Sequence, residues 1–250
     1  MNEKERAEMI SSIGFLLLKH GAEIYRVEES MTRMLIAQGF NDVEVFALPT
    51  YFNISITLSY GSTYTSFKRS KENRIHLDNI YYLNNLVRNI CAHKLSDEDI
   101  LKEIKWIENN PLNFSLILLG YVLSAASFAV FFGGGWRDMI VAGVIGFLMY
   151  YIILLMENLH IHSIAMTIIT SLALSTLCIY AAKWHLIASS QYAITGCIML
   201  LVPGIAITNS LRDIISGDYI SGVSRMSESI LIAVSIAIGV GSMLIVLGGS

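Results

Sequence analysis

The chain has 250 residues, 54% of them hydrophobic and 15% charged, and carries a formal net charge of −3. That balance excludes a basic nucleic-acid-binding surface, and a mean hydropathy of +0.57 excludes an ordinary soluble domain. The charge is also unevenly placed. Residues before Pro111 hold 13 Lys+Arg and 15 Asp+Glu, whereas residues 111–250 hold only Arg137, Lys183, Arg212 and Arg225 against Asp138, Glu157, Asp213, Asp218 and Glu228. The three cysteines, Cys91, Cys178 and Cys197, lack metal-ligand spacing, and two lie in apolar runs that suit reduced thiols.

The opening "MNEKERAEM" mixes charge signs and leads only to "IGFLLL", too brief for a secretory signal. Helical periodicity covers residues 5–20 and 22–39, broken at Gly21 and ended at Gly39. In the second helix Ile24, Val27, Met31, Met34 and Leu35 form one apolar stripe, with Glu23, Arg26, Ser30 and Arg33 on another face. Phe52, Ile54, Ile56 and Leu58 then alternate with Asn53, Ser55, Thr57 and Ser59, the period of a half-buried strand. With Pro49 and the Tyr60-Gly61-Ser62 turn as punctuation, about three antiparallel strands are expected. Helices over 77–92 and 97–108 follow, the latter capped by Ser96. Residues 1–110 are therefore expected to form an α+β domain.

From Leu112 the pattern changes to long uncharged runs at 114–132, 139–156, 163–182, 186–208 and 229–247, each near the roughly 20 residues a membrane crossing needs. The expected fold class is an α+β cytoplasmic domain followed by an all-α membrane bundle of five transmembrane helices over 111–250. The Lys/Arg-rich region before the first run, together with Arg212 and Arg225 after the fourth, places the N-terminal domain in the cytoplasm and the C-terminus outside. Arg137 and Lys183 then fall outside, against the trend.

Small residues and hydroxyls on these runs mark faces for close packing or for a polar path. The first run has Gly120, Ser124 and Ser127, the second Ala142 and Gly146, and the fifth Ser235, Gly239 and Ser242. The third has Thr167, Ser171 and Ser175 at four-residue steps, a hydroxyl stripe in which Thr167 and Ser171 are candidate path residues. In "LVPGIAITNSLRD" Pro203 has no amide to give the Met199 carbonyl, and Gly204 adds no steric support, so the fourth helix should kink or break. Transporters use such breaks to turn backbone dipoles toward a solute, although a merely bent structural helix reads the same way. Ionisable groups cluster just beyond, at Arg212-Asp213 and in "ISGDYISG", where Asp218 is placed to cap the fifth helix. His160 and His162 point to different helix faces and make a poor metal pair. No metal site, cofactor motif, P-loop or nucleophile elbow is present, so no cofactor and no catalysis are expected.

The stretch "GAEIYRVEES" crowds Glu23, Tyr25, Arg26, Glu28 and Glu29 onto one helix, with Glu23 and Arg26 at i,i+3 and Glu29 and Arg33 at i,i+4. It reads either as a ladder of solvated pairs or as a docking surface set at a fixed angle by Gly21. Together with "HLDNIYYLNNLVRNI" and "LLVPGIAITNSLRDIISGDYISGVSRMSESILIA", it resembles the N-terminal portion of the threonine/serine exporter family over about residues 10–240. A full exporter of that family has about ten spans, with a second membrane domain of about 150 residues after the fifth. The resemblance maps Glu23, Tyr25, Arg26 and Glu28 onto the family's cytoplasmic motif, and Pro203, Gly204, Asn209, Asp213, Gly217 and Asp218 onto its fourth-span motif.

The resemblance implies one subunit of a split secondary exporter in a prokaryotic inner membrane. Its expected partners are a separate small membrane subunit supplying the missing half, a small-molecule substrate, membrane lipid and a second copy in a homo-oligomer, with no nucleic acid. The implied cargo is a threonine/serine-like amino acid moved out of the cytoplasm. With no nucleotide motif to supply energy, proton coupling is expected from the residues themselves, with one of Asp213, Asp218 or Glu157 carrying the proton. Two alternatives stay open: export of a small dicarboxylate such as succinate, and a membrane-anchored ligand sensor. A hydrolase lacks a credible nucleophile and base.

Overall fold

The computed structural model describes residues 1–70, 75–110 and 113–247, among which there are ten helices and one three-stranded sheet. They fall into two units, Met1–Leu112 with Ile207–Met226, and Asn113–Ala206 with Ser227–Ser250. The expected outside C-terminus, residues 248–250, and the expected boundary at Pro111 lie beyond the described residues.

In the first unit α1 (Glu3–Lys19) opens with a capping box. The Asn2 side chain accepts from the Glu5 amide, and the Glu5 carboxylate accepts from the Asn2 amide. The helix ends at Gly21, whose φ of +82° lets the Gly21 and Ala22 amides turn back to the Leu18 and Leu17 carbonyls. Helix α2 (Ile24–Ala37) follows at once and buries the stripe read from its sequence: Ile24, Val27, Met31, Met34 and Leu35. Strands β1 (Asn41–Leu48), β2 (Tyr51–Thr57) and β3 (Thr63–Arg69) pair antiparallel in chain order. On β2, Phe52, Ile54 and Ile56 are fully buried, as the alternation required. A Cβ on Gly14 would lie 2.5 Å from Met31 Sδ and 2.9 Å from Phe52 Cζ, so α1 meets α2 and β2 where it has no side chain. Helices α3 (Leu77–Cys91) and α4 (Asp97–Glu108) complete the core with Leu83, Leu86, Ile90, Ile100 and Ile107.

The second unit holds α5 (Phe114–Phe131), α6 (Trp136–Asn158), α7 (Ser163–Lys183) and α8 (Ser190–Ile198). Helix α9 (Gly204–Ile215) and helix α10 (Tyr219–Leu247) each contain a division between the units. Backbones in the second unit touch at small residues. A Cβ on Gly146 of α6 would lie 2.7 Å from the Tyr121 carbonyl oxygen, and one on Gly196 of α8 2.6 Å from the Ala129 amide nitrogen. Helix α5 is thus gripped at Ala125 and Ala129, its only buried residues, while Leu116, Leu123 and Phe131 remain exposed. Gly239 of α10 meets α7 in the same way, its Cβ position 2.5 Å from Ser171 Cβ. On the face of α5 that carries Gly120, Ser124 and Ser127, nothing lies within 4 Å of a Cβ on Gly120.

The expected fold class, an α+β domain followed by a five-helix bundle, is overturned. The described residues are mainly helical, with a single small sheet. Among them four helices, α5, α6, α7 and α10, are long and apolar enough to cross a membrane. The run 186–208 is not one helix. The Leu201 and Val202 amides both return to the Ile198 carbonyl, and the chain then leaves the helical path at Val202-Pro203. The pieces, with 9 and 12 residues, are about 14 Å and about 18 Å long, short of the ~30 Å hydrocarbon core. Helix α10 in turn begins ten residues before the expected start at 229, because Gly217, at φ +97°, closes the preceding turn.

These contacts set a graded expectation for thermal unfolding in detergent. Gly196→Ala drives a methyl into backbone atoms of α5 and should destabilise the protein by about 1–3 kcal/mol. Gly120→Ala enters open space and should stabilise its helix by about 0.5–1 kcal/mol. Equal effects of the two would contradict the packing described.

Candidate functional site

Gly21 stops α1 and Glu23 starts α2, so the short corner between them carries backbone groups that neither helix satisfies. Glu23 occupies the N-cap in an extended conformation but does not cap its own helix. Its side chain, only 10% exposed, pairs with Arg26 at 2.7 Å and with Arg212 of α9. The start of α2 is satisfied instead from far along the chain. The Ile24 amide donates to Asp213 Oδ1 at 3.2 Å. Around it, Asn209 Nδ2 donates to the Gly21 carbonyl at 3.4 Å and Arg225 Nη2 to the Ala22 carbonyl at 3.0 Å.

These partners sit on a hairpin. Helix α9 carries Asn209, Arg212 and Asp213, the chain reverses at Gly217, and the first turns of α10 bring Arg225 back beside Asp213. A Cβ on Gly222 would lie 2.4 Å from Ile214 Cγ1 and 2.8 Å from the Ser210 carbonyl oxygen, so α9 and α10 touch through that glycine. Asp213 has no exposed surface, and its Oδ2 lies 3.3 Å from Arg225 Nη1, a charged contact without an aligned hydrogen bond. Asp218 occupies the position just before α10. Glu28 is not part of a surface ladder. Its Oε1 accepts from the Ala47 amide at 2.8 Å, which ties α2 to β1. Tyr25 receives a hydrogen bond from Arg26 Nε at 3.1 Å.

Three carboxyls of this cluster hold protons more tightly than ordinary carboxylates. Burial raises Asp213, with Arg225 and the Ile24 amide pulling it down and Asp218 and Glu23 pushing it further up. Burial also raises Asp218. Glu28 rises through burial, against the Ala47 amide, with a further push from Asp218. The sign follows from linkage: a carboxyl whose proton affinity is higher when folded stabilises the folded arrangement most at low pH, and that contribution fades as pH rises through the raised value.

The first unit therefore brings together Glu23, Tyr25, Arg26 and Glu28 with Asn209, Asp213 and Asp218, and the Ile24 amide and Asp213 that join the two groups are 189 positions apart in the chain. Pro203 and Gly204 stand at the break and at the first residue of α9. Thr167 and Ser171 belong to the second unit. Thr167 Oγ1 bonds back to the Ser163 carbonyl, and Ser171 is fully buried with an unpartnered hydroxyl. Glu157 lies on the last turn of α6. Arg225 and the carbonyls of Gly21 and Ala22 are the site members that sequence reasoning left out. The Ile-Ser-Gly repeat on either side of Asp218 marked the turn, and the only arginine soon after it is Arg225. Among the described residues no cluster of three or more His, Cys, Asp or Glu side chains could hold a metal ion.

Four long apolar helices, together with the kinship that follows, define an integral membrane protein. Residues 8–247 match the family described as "Putative threonine/serine exporter", and the chain belongs to that family of membrane transporters. It is similar to a "Probable succinate transporter subunit" of Klebsiella aerogenes, 29% identical over 230 residues that cover 90% of this chain and 87% of that protein. A protein of the same description from Escherichia coli K12 is 25% identical over 243 residues, covering 95% of this chain and 94% of its own. The "Threonine/serine exporter" of Corynebacterium glutamicum is 25% identical over 162 residues, 62% of this chain but 33% of that protein. No solved structure matches the chain.

The buried pair sets a pH-dependent expectation. Arg225→Met strands Asp213 without its counter-charge and should destabilise the protein by about 3 kcal/mol at pH 8, and by less as the pH is lowered to 5, because a raised proton affinity lets the stranded charge be neutralised more readily. Asp213→Asn keeps an acceptor for the Ile24 amide, and Arg225 keeps its bond to the Ala22 carbonyl, so this change should cost less than Arg225→Met at pH 8 and vary less between the two pH values. Denaturant unfolding at the two pH values checks both.

Proposed function

We propose that this chain is one subunit of a secondary exporter that moves small polar metabolites out of the cytoplasm, coupled to protons. The residues before the first long apolar helix lie in the cytoplasm in this reading. The observation that carries it is Asp213, a fully buried acid with raised proton affinity, set on a hairpin just beyond a helix broken by Pro203. A proton on Asp213 favours the hairpin held against the start of α2, and its loss leaves a buried charge that favours release. Proton traffic is thereby linked to the position of the broken helix. Asp218 and Glu157 are the other groups offered for the proton. Pro203, Gly204 and Asn209 place the break beside the solute, and Thr167 and Ser171 line part of its route.

A second, separate membrane chain of about 150 residues, enough for the family's remaining spans, completes the transporter. Two of the relatives are named as subunits and match along most of their length, whereas the protein named as an exporter is matched over only 33% of its own. For the cargo, the first reading is threonine/serine-like amino acids, supported by the family's description, and a small dicarboxylate is the second, supported by the succinate named for those two subunits.

Cells preloaded with a threonine-releasing dipeptide, and in parallel with succinate, provide the test. Efflux is followed with this chain alone, the companion chain alone, and both. Efflux of one cargo only when both chains are present is the expected result, and equal efflux in all three strains would reject a two-subunit exporter. Asp213→Asn should flatten the pH dependence of that efflux, and an unchanged profile would remove Asp213 from the proton path.

A further inference from the structure

Helices α6 and α7 are antiparallel neighbours, and where α6 begins and α7 ends they leave a groove of about 760 Å³ between them. Its walls are apolar along their length, with Ile140, Val144 and Leu148 on α6 and Leu177 and Ala181 on α7. Polarity is confined to one end. There Trp136 and Trp184 stand 67% and 71% exposed, and Arg137 and His185 close the mouth. The Arg137 guanidinium lies 5.3 Å from the centre of the Trp136 ring. Among the described residues no carboxylate pairs with it, because the neighbouring Asp138 turns inward and accepts from the Gly135 amide at 2.8 Å.

An unpaired guanidinium beside exposed indoles, at one end of an apolar groove, is complementary to a molecule with an anionic head and a hydrocarbon tail. We infer that this groove is a binding site for an anionic phospholipid, with its phosphate at Arg137 and His185 and one acyl chain along α6. Length separates this occupant from a helix of another protein. From Trp136 to Leu148 the groove runs about 18 Å, close to the ~15 Å hydrocarbon depth of a single leaflet, whereas a partner's spanning helix needs ~30 Å of apolar wall. The site also accounts for Arg137, which sits against the charge bias that orients the rest of the chain.

The full chain carrying Trp106→Phe, which leaves Trp136 and Trp184 as the only indoles, is reconstituted in vesicles containing brominated phosphatidylglycerol or brominated phosphatidylcholine. The brominated phosphatidylglycerol should reach half-maximal quenching at an about fivefold lower mole fraction, the preference one cation near a lipid surface confers. Arg137→Gln should abolish that preference while leaving maximal quenching intact, and Arg137→Lys should retain it. Equal quenching by the two lipids, a preference that survives Arg137→Gln, or loss of quenching when the second transporter chain is added would overturn the assignment. The last outcome would give the groove to a partner helix.

Discussion

A carboxyl group with no exposed surface must be neutral, paired, or hydrogen-bonded, and Asp213 meets this demand in a way that organises the first unit. One oxygen takes the Ile24 amide, which α2 would otherwise leave unsatisfied at its start, and the other faces Arg225. Because Arg225 also donates to the Ala22 carbonyl and Asn209 to the Gly21 carbonyl, the corner between α1 and α2 depends on residues between 209 and 225. The polar stretch at the start of α2 and the polar hairpin after Pro203 are thus halves of one structure. Burial outweighs the attraction of Arg225, so the group remains sensitive to pH instead of being a fixed salt bridge.

The second unit follows a different rule. Hydrocarbon gives helices no reason to associate through large apolar side chains, so contact comes from backbone approach at Gly146, Gly196 and Gly239. Large side chains such as Leu116, Leu123 and Phe131 point away and supply the apolar surface that lipid wets. Four helices meet the length that a bilayer imposes, and the one run that a proline interrupts does not. The break at Val202-Pro203 separates α8 from α9, and the residues from Ile207 onward join the first unit as a polar hairpin.

Much of this could be read before any coordinates. The stripe on α2, the alternation on β2, the Ser96 cap and the break at Pro203 are local, and periodicity or backbone chemistry specifies them directly. The resemblance carried by "GAEIYRVEES" and "LLVPGIAITNSLRD" gave the family. What could not be read was distance: no local rule joins Glu23 to Arg212 or Ile24 to Asp213 across 189 positions. For that reason the stretch read either as a surface ladder or as a docking surface, and nothing local showed that Glu23 pairs toward α9 and Glu28 toward β1. Counting apolar runs also overstated the spans, since hydropathy averages over the proline that divides residues 186–208. On α5 the residues that pack are Ala125 and Ala129, which the small-residue pattern of Gly120, Ser124 and Ser127 did not single out, because glycine and serine permit close approach without requiring it.

Hydrogen exchange at the start of α2 reads the docking of the hairpin most directly, because a single amide, that of Ile24, reports on a single distant carboxyl. In Asp213→Ala, exchange across residues 21–27 should accelerate roughly tenfold, the equivalent of about 1.4 kcal/mol of lost protection, while residues 52–58 in the sheet stay unchanged. Unaltered exchange at residues 21–27 would mean that α2 does not depend on the hairpin, and the account of a proton-sensitive contact would fail.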